Sequence, residues 1–554
     1  MTILNSVRPS IFKPVLCDDP DITISKSKIK TIIRPQGRYF KKIKYKKVHL
    51  NDNTACNKLN LLHLAALRKK LLKYNSCFGI MLCSMKTQTR KILIAVVLSV
   101  CLTSFAKANL EKRVNAIISQ PSQKKVHFSI HIIKADSGRA VYSHNAREAL
   151  VPASNMKIIV TAAALKFLGP DYRYKTKIGL CNDTLVVIGS GDPLFGDKDT
   201  DAKYNRKNGW IFQHITATIK KNGVKTIKDI IVDSGVFDDQ RVHPGWPKKE
   251  LNKPYACEVS GLNFRGNCID ISAKKTGKKV AVYIEPQTKF IKFTNKVIPI
   301  SKGTSTIGSY RNKRPNEIVI HGKCKSAIGP YAVAIERPAA FFGFVLAEHL
   351  AKAGIKTNGE LIEKTVDKDC NITVLAEYST SLADCLARCN KDSFGLAAEA
   401  IFKTIAANSS MTGKNGSWAA GRQIISRYLS GLGIDRNQFY IADGSGLSRQ
   451  NELSAYTISK VLSDVYKGRN WPLYKASLAV GGGDGTIRTY FMEQKYKGKI
   501  IGKTGYIAGV KAFSGVCTTA EGDYLFSILA NNANGKTRTA INNIAKAIID
   551  TEYQ

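Results

Sequence analysis

The feature that most constrains the fold is a change of pattern along the chain. Residues 173–378 contain short alternating apolar runs, such as TLVVIGSGD and EIVIHG, separated by Gly, Pro and Asn. Such runs are typical of β-strands, and one amphipathic helix is predicted among them near 340–353. The sequence therefore predicts a split domain, formed by 109–172 and 379–554, with a β-rich insertion at 173–378.

The two outer segments predict a single α+β unit. A strand is predicted at about 126–134, followed by a helix that begins near Pro152 and stops at Gly169. Helical spacing of apolar residues returns over 381–407 and 416–431. Three strands, the first of them KIIGKTGY, and a C-terminal helix complete the chain. We expect a five-stranded, largely antiparallel sheet between helices.

The N-terminal region carries a targeting signal. Residues 85–108 read MKTQTRKILIAVVLSVCLTSFAKA, with a basic start, an apolar stretch and the small-x-small ending of a secretory signal peptide. The apolar stretch of about 14 residues is shorter than the ~20 that a membrane-spanning helix needs. Export to the periplasm or cell wall is predicted, with a mature chain that starts at Asn109. Residues 1–84 are then a basic extension or a mis-assigned start ahead of Met85.

The charge and the cysteine content of the chain limit the classes of partner and ligand that we expect. The chain has 85 Lys and Arg against 42 Asp and Glu, a formal net charge of +43. Such an excess attracts polyanions, which include nucleic acid, an anionic membrane face and an acidic wall polymer. Export argues against nucleic acid and leaves peripheral membrane association open. Most of the 13 cysteines follow the signal, where disulfides are permitted, and no motif calls for a metal or cofactor.

A serine and a lysine with catalytic spacing open the first helix of the mature chain. Ser154 and Lys157 are three residues apart, so they share one helix face. A desolvated, neutral lysine can take the proton of a serine hydroxyl and make it a nucleophile. The same spacing begins at Ser25, Ser122 and Ser272, but in polar, Lys-rich stretches. Only Ser154 begins an apolar helix, whose dipole favours a developing negative charge.

A second candidate element is the tripeptide Lys503-Thr504-Gly505. It lies at the end of an apolar strand, where the lysine and threonine could hold the terminal carboxylate of a substrate. The glycine would let the backbone approach closely. The same tripeptide occurs at Lys275-Thr276-Gly277, inside AKKTGKK, where a solvated turn is predicted. Neither copy is specific by itself.

The third element, Ser393-Phe394-Gly395, lies between the other two and completes a recognisable order. Ser-x-x-Lys, a serine-centred triplet and Lys-Thr-Gly in succession resemble the penicillin-binding proteins and serine β-lactamases. The finer resemblance is to peptidase family S13, the D-alanyl-D-alanine carboxypeptidases and endopeptidases of the penicillin-binding protein 4 type. It covers nearly all of 125–550, and the run DGSGLSR at 443–449 is its most specific segment.

The resemblance implies a serine-type D-Ala-D-Ala carboxypeptidase or DD-endopeptidase that acts on peptidoglycan stem peptides through an acyl-enzyme and is sensitive to β-lactams. The implied catalytic residues are Ser154, Lys157 and Ser393, and the implied substrate-binding residues are Lys503, Thr504, Gly505 and Tyr506. By this resemblance, the backbone amides of Ser154 and Tyr506 form the oxyanion hole. It also implies a penicillin-binding fold with a β-rich insertion after Ser-x-x-Lys.

One position departs from the family pattern. The second motif of the family is Ser-x-Asn, and this chain has Gly395 where the asparagine is expected. Losing one hydrogen bond to the substrate weakens transition-state positioning by about 1–3 kcal/mol. The alternative function is therefore a catalytically weakened or inactive homologue that binds the wall. A Ser-His-Asp hydrolase is disfavoured because the sequence has no Gly-x-Ser-x-Gly.

Overall fold

The computed structural model of the protein describes residues 109–410 and 415–551. The predicted signal peptide at 85–108 and the basic segment 1–84 lie outside the described residues. Within the described part of the chain, no helix is both long enough and apolar enough to cross a membrane.

Helices and strands alternate in blocks. A helical segment covers 109–118. The α-helices that follow are α1 (Met156–Phe167), α2 (Lys198–Lys203), α3 (Trp210–Lys221), α4 (Pro338–Lys352), α5 (Leu382–Lys391), α6 (Gly395–Ala407), α7 (Trp418–Gly431), α8 (Ala455–Lys467), α9 (Trp471–Ser477) and α10 (Thr537–Asp550).

The strands are β1 (His127–Lys134), β2 (Ala140–His144), β3 (Ala149–Leu150), β4 (Arg173–Cys181), β5 (Thr184–Ile188), β6 (Thr226–Ile227), β7 (Ile230–Asp233), β8 (Cys268–Thr276), β9 (Lys279–Glu285), β10 (Lys292–Pro299), β11 (Thr306–Arg311), β12 (Glu317–Cys324), β13 (Ala327–Ala334), β14 (Lys356–Thr357), β15 (Leu361–Glu363), β16 (Thr373–Ser381), β17 (Phe439–Tyr440), β18 (Glu452–Ser454), β19 (Ala479–Val480), β20 (Ile500–Ile507), β21 (Val510–Thr519) and β22 (Gly522–Asn531).

The central sheet is built from both ends of the described chain. Its order is β19-β20-β21-β22-β1-β2, and every neighbouring pair is antiparallel. Five strands were expected, and the two-residue β19 adds a sixth at the edge. The three closing strands pair as consecutive hairpins, as their alternating apolar residues predict.

Helices cover both faces of this sheet. Successive side chains of a strand point to opposite faces, and in β22 Phe526 and Ile528 belong to one apolar core while Leu525 and Leu529 belong to another. Helix α10 packs on β21 and β22, and α8 packs on β22 and β1. The fold is therefore α+β, an antiparallel sheet between helices, as predicted.

The β-rich block contains four sheets and has an apolar core of its own. A five-stranded sheet has the order β15-β7-β5-β4-β16, two three-stranded sheets have the orders β10-β12-β11 and β13-β8-β9, and β14 pairs with β6 in a two-stranded sheet. Every buried residue of this core lies between Ile178 and Tyr378. Other residues of the block, including Trp246 and Cys257, pack into the core around α1 and α6 instead. The block therefore reaches the region of the predicted site.

The prediction of a single helix within this block was wrong. Helix α4 lies where it was expected, but α3 is a second amphipathic helix and α2 a short third one. In α3, the buried residues Ile211, Phe212, Ile215 and Ile219 follow a helical period, which the strand-like segments around them obscured. Helices α3 and α4 contact each other, and α4 also packs on β7.

The cysteines of the described residues divide into one bridge and several buried thiols. Cys181 and Cys370 form a disulfide with their Cα atoms 5.9 Å apart. It joins the end of β4 to the segment before β16, inside the β-rich block. In the described part of the chain, the free cysteines are Cys257, Cys268, Cys324, Cys385, Cys389 and Cys517, all buried.

Candidate active site

The predicted site residues meet at one cleft. Its volume is about 450 Å³. It is lined by Ser154, Lys157, Pro247, Glu250, Tyr255, Ser393, Gly395, Ser445, Gly446, Leu447, Arg449, Tyr506, Ile507 and Ala508. These residues come from segments that are hundreds of positions apart, so the fold and not the local sequence assembles the cleft.

Ser154 and Lys157 lie at the start of α1, as predicted. A 3₁₀ turn, Ala153–Asn155, leads directly into the helix, and the Nζ atom of Lys157 is 3.1 Å from the Oγ atom of Ser154. The lysine is buried, and burial lowers the pKa of its amine, against the opposing effect of the nearby Cys389, Glu399 and Asp443. Loss of water disfavours the ammonium form. The amine is thereby suited to accept a proton from Ser154.

Ser393 lies in a break between two helices. The sequence predicted one helix over 381–407, but α5 ends at Lys391 and α6 begins at Gly395. At the break, the backbone of Ser393 has a φ of +59°, a left-handed conformation that costs free energy for a residue with a side chain. This turn directs the hydroxyl group to the cleft, where it accepts a hydrogen bond from the Nζ atom of Lys503 at 2.8 Å.

The Lys-Thr-Gly tripeptide forms part of β20, directly before Tyr506 and Ile507, which line the cleft. Lys503 is completely buried and also donates to the carbonyl oxygen of Thr504 at 2.8 Å. The Thr504 hydroxyl donates to that of Thr486 at 2.9 Å. Burial, together with the charge of Lys157, lowers the pKa of Lys503 well below its ordinary value. A positive charge on either of the two lysines disfavours a positive charge on the other. The favoured state is therefore one in which only one of the two amines is protonated.

Gly505 and Tyr506 continue the same strand. A Cβ atom on Gly505 would lie 2.9 Å from the carbonyl oxygen of Pro152 and 3.2 Å from the amide nitrogen of Ser154. Only glycine allows β20 to approach the 3₁₀ turn this closely. Tyr506 follows with a side chain that is 67% exposed at the mouth of the cleft. All seven predicted catalytic and substrate-binding residues are thus brought to one place.

Gly395 lines the cleft and is crowded on one side by the β-rich block. A Cβ atom on this residue would lie 3.0 Å from the backbone carbonyl oxygen of Tyr255, which belongs to the β-rich block. A side chain at 395, including the asparagine of the family motif, would need the Tyr255 carbonyl to shift by a few tenths of an ångström. The glycine and the position of Tyr255 therefore depend on each other.

Several residues of the cleft were not predicted. The carbonyl oxygen of Ser445 accepts a hydrogen bond from the Nζ atom of Lys157 at 2.7 Å. The Asn155 side chain lies 2.6 Å from the Ser514 hydroxyl and, with its amide group oriented to satisfy both contacts, donates to the Lys503 carbonyl at 2.8 Å. Ser445 acts through a backbone atom, for which a sequence gives no signal beyond the glycine-rich run around it.

The second copies of the motifs lie elsewhere. Ser272 is on β8, and Lys275-Thr276-Gly277 leads into an exposed hairpin turn before β9. Ser122 is in a 3₁₀ turn, Pro121–Gln123. Within 109–410 and 415–551 there is no group of three or more His, Cys, Asp and Glu side chains that could hold a metal ion.

Comparison with known proteins gives consistent results. The model of the D-Ala-D-Ala carboxypeptidase 3 (S13) family matches residues 110–552. The D-alanyl-D-alanine carboxypeptidase of Actinomadura sp. (strain R39) is 28% identical over 472 residues, which cover 80% of this chain and 85% of that protein. The D-alanyl-D-alanine carboxypeptidase DacB of Haemophilus influenzae is 24% identical over 470 residues, 80% of this chain and 91% of that protein.

The fold is similar to that of a solved penicillin-binding protein. The crystal structure of penicillin binding protein 4 (dacB) from Haemophilus influenzae superimposes with a TM-score of 0.68 at 22% identity, covering 80% of this chain and 99% of that chain. The same protein in complex with a β-lactam gives a TM-score of 0.63 at 20% identity. At these identities the likeness establishes the fold.

Proposed function

Because the chain belongs to the S13 family of D-Ala-D-Ala carboxypeptidases, and is thus a hydrolase, we propose that it cleaves D-alanyl peptide bonds in peptidoglycan stem peptides through an acyl-enzyme on Ser154. The observation that carries this proposal is the distance of 3.1 Å between the Lys157 amine and the Ser154 hydroxyl, with Lys503 and Ser393 joined at 2.8 Å in the same cleft. These two contacts support the roles of Ser154 as nucleophile, Lys157 as its base and Ser393 as proton relay.

In the acylation step, the neutral Lys157 amine takes the proton of Ser154, and the Ser154 oxygen attacks the carbonyl carbon of the penultimate D-alanine. The backbone amides of Ser154 and Tyr506 stabilise the negative charge on the carbonyl oxygen. The close approach of Gly505 to the Ser154 amide supports this pairing of donors. Lys503 and Thr504 bind the terminal carboxylate of the substrate.

In the next step, the C–N bond breaks and Ser393 gives its proton to the departing amine. Ser393 then receives the proton that Lys157 removed from Ser154, so both groups return to their starting states. The contact of Ser393 with Lys503 supports this role, because an N–H donor at the hydroxyl lowers the cost of a transient negative charge on its oxygen. Water then hydrolyses the ester and frees Ser154. A β-lactam would acylate the same serine by ring opening, and its leaving amine would stay attached.

The alternative, a weakened or inactive homologue that binds the wall, rests on Gly395. Loss of the asparagine amide argues for it, whereas the Tyr255 carbonyl beside Gly395 argues that the site has been rebuilt rather than lost. We therefore favour an active enzyme. Within the fold, we assign catalysis to 109–172 and 379–554, with 173–378 as an insertion that contributes Tyr255 and Glu250 to the cleft.

We further propose that the protein is exported through the signal at 85–108 and works in the periplasm or at the cell wall. The peptidoglycan-directed family supports this location. Expression from Met85 should yield an exported product that begins at Asn109. An exported chain that keeps residues before 85 would contradict the proposed start.

The activity is tested by incubating the purified protein with peptidoglycan fragments and identifying the products by mass. Release of D-alanine indicates carboxypeptidase action, and cleavage of cross-linked dimers indicates endopeptidase action. Ser154→Ala is the control and should give neither product. A wild-type protein that binds the fragments and leaves them intact would support the wall-binding alternative.

A further inference from the structure

Two buried carboxylates, which are not among the residues that line the cleft, lie behind its wall. Glu399, on α6, is 1% exposed, and Asp443, at the start of the loop 443–448, is 0% exposed. Neither has a role in the mechanism described above. A buried carboxylate is costly unless its oxygens are well satisfied, so two of them near each other require an explanation.

Glu399 binds the backbone of the loop. Its Oε1 atom accepts a hydrogen bond from the Ser445 amide at 2.7 Å. Its Oε2 atom accepts from the Gly444 amide at 2.9 Å and from the indole of Trp418 at 2.8 Å. All three partners are N–H donors. An ionised carboxylate can accept from all of them, whereas a neutral side-chain amide would turn its own NH₂ group towards at least one of them.

Asp443 holds the remainder of the same loop. Its Oδ1 atom accepts from the Gly446 amide at 2.8 Å and from the Asn451 side chain at 2.7 Å. Its Oδ2 atom accepts from the Ser448 amide at 2.7 Å and from the indole of Trp246 at 2.8 Å. Together the two carboxylates fix most of the loop through its amides.

The held loop ends on the proposed base. Between the anchored amides of Ser445 and Gly446 lies the Ser445 carbonyl group, whose oxygen accepts a hydrogen bond from the Nζ atom of Lys157 at 2.7 Å. This contact and the one to Ser154 define where the amine sits. A shift of the loop would therefore move the amine relative to the nucleophile.

We propose that Glu399 and Asp443 are positioning residues for Lys157: they hold the 443–448 loop so that the Ser445 carbonyl keeps the lysine amine beside Ser154. The inference rests on the proposed function, since it assigns Lys157 as the base. The two carboxylates also affect the protonation of Lys157, because their negative charges stabilise the protonated form of its amine.

The charges around the pair set the direction of this effect. The titratable groups that interact electrostatically with Glu399 or Asp443 are Lys157, Lys403, His243, Cys257 and Cys389. Burial and the charge of Asp443 raise the pKa of Glu399 to about 7. Glu399 and Asp443 in turn raise the pKa of Lys157 against the lowering caused by burial.

The test replaces Glu399 with glutamine and measures the second-order acylation constant with a fluorescent penicillin across pH. Because an NH₂ group would face an N–H donor, the loop should shift, and acylation should slow by about 100-fold, the cost of a misplacement of about 1 Å. The acidic limb should also move to lower pH. Glutamine does not titrate, so the loss of activity caused by protonation of Glu399 disappears. Removal of the negative charge also lowers the pKa of Lys157, so its amine stays neutral to a lower pH.

Asp192→Asn is the matched control. Asp192 is equally buried, accepts hydrogen bonds from the Leu194 amide and the Thr380 hydroxyl, and does not bond to the loop. It should lose stability and keep both the acylation constant and the pH profile. If Glu399→Gln does not fold, Asp443→Asn should show the same slowing and the same direction of the pH shift.

The outcomes separate this inference from the proposed function. A wild-type protein that is not acylated refutes the function itself. A wild type that is acylated, with Glu399→Gln or Asp443→Asn equally fast and unchanged in pH profile, refutes the positioning role. Hydrogen exchange of the wild-type protein needs no variant: the amides of 444–446 should exchange slowly, and exchange at the rate of an exposed loop would overturn the inference.

Discussion

Two regions of this molecule contain the tripeptide Lys-Thr-Gly, one in the central sheet beside the cleft and the other at a hairpin turn in the β-rich block. Lys503-Thr504-Gly505 lies on β20 in the central sheet, with the lysine buried and bound to Ser393. Lys275-Thr276-Gly277 leads into an exposed hairpin turn, and its lysine donates to the carbonyl oxygen of Ile300.

The serines differ in the same way. Ser154 is followed, one helical turn later, by a buried lysine at 3.1 Å, whereas Ser272 lies on a strand, where residues three apart point to opposite faces. We infer that these motifs can support chemistry only where the fold removes water from their lysine. Each of the following predictions tests one part of it.

The largest difference is expected at the two serines. Ser154→Ala should lower peptide hydrolysis and penicillin acylation by about 10⁴-fold or more, because the nucleophile is lost. Ser272→Ala should leave both rates unchanged. Steady-state hydrolysis of a D-Ala-D-Ala peptide by the two variants measures this. Equal activity of both variants would break the comparison.

The two lysines of the tripeptides should differ next. Lys503→Met should slow acylation by about 100- to 1000-fold, because a donor aimed at the reacting groups is lost. Lys275→Met removes an equivalent charge from the surface-exposed copy and should change the rate by less than 2-fold, within the usual effect of a surface substitution. Stopped-flow acylation gives both numbers. A large effect of Lys275→Met would show that the second copy is functional.

Burial should also appear in the pH dependence. Lys157 acts as a base only when neutral, so acylation rises as pH increases through its pKa. Because burial lowers this pKa from 10.5, the acidic limb should lie at a lower pH than that of an exposed lysine. The acylation constant measured from pH 5 to 10 locates the limb. A limb at the ordinary lysine value would contradict a desolvated base.

The smallest effect is expected at the two glycines. Gly395→Asn should not accelerate acylation and should slow it by about 2- to 10-fold, since crowding a filled space costs on the order of 1 kcal/mol. Gly277→Asn is the control: nothing lies within 4 Å of its Cβ position, and asparagine tolerates its φ of +61°. Faster acylation of Gly395→Asn would mean that the enzyme lacks a useful hydrogen bond from the asparagine amide. It would also mean that the Tyr255 carbonyl leaves room for this side chain.

Much of the fold was predictable from the sequence. The three closing strands and the C-terminal helix have apolar periods that no competing pattern disturbs, and the structure has them where they were expected. The break at Ser393 was not predicted, because the apolar period of 381–407 runs through it and only the backbone conformation interrupts the helix. Helix α3 was missed because short strands flank it.

The site was predictable in its side chains and not in its backbone groups. Ser154, Lys157 and Lys503 were identified from motif order, since each acts through a characteristic side chain. The Ser445 carbonyl acts through an atom that every residue has, and Tyr255 reaches the cleft from the β-rich block by tertiary packing alone. Apart from the glycine-rich run around Ser445, neither contact has a signal in the local sequence.

The central claim is that Ser154, and neither of the other described Ser-x-x-Lys serines, is the nucleophile. The most direct test is to trap the protein with a penicillin and locate the adduct by peptide mass. The account predicts one adduct, on the peptide that contains Ser154, and its loss in Ser154→Ala. An adduct on Ser122 or Ser272, or undiminished labelling of Ser154→Ala, would contradict it.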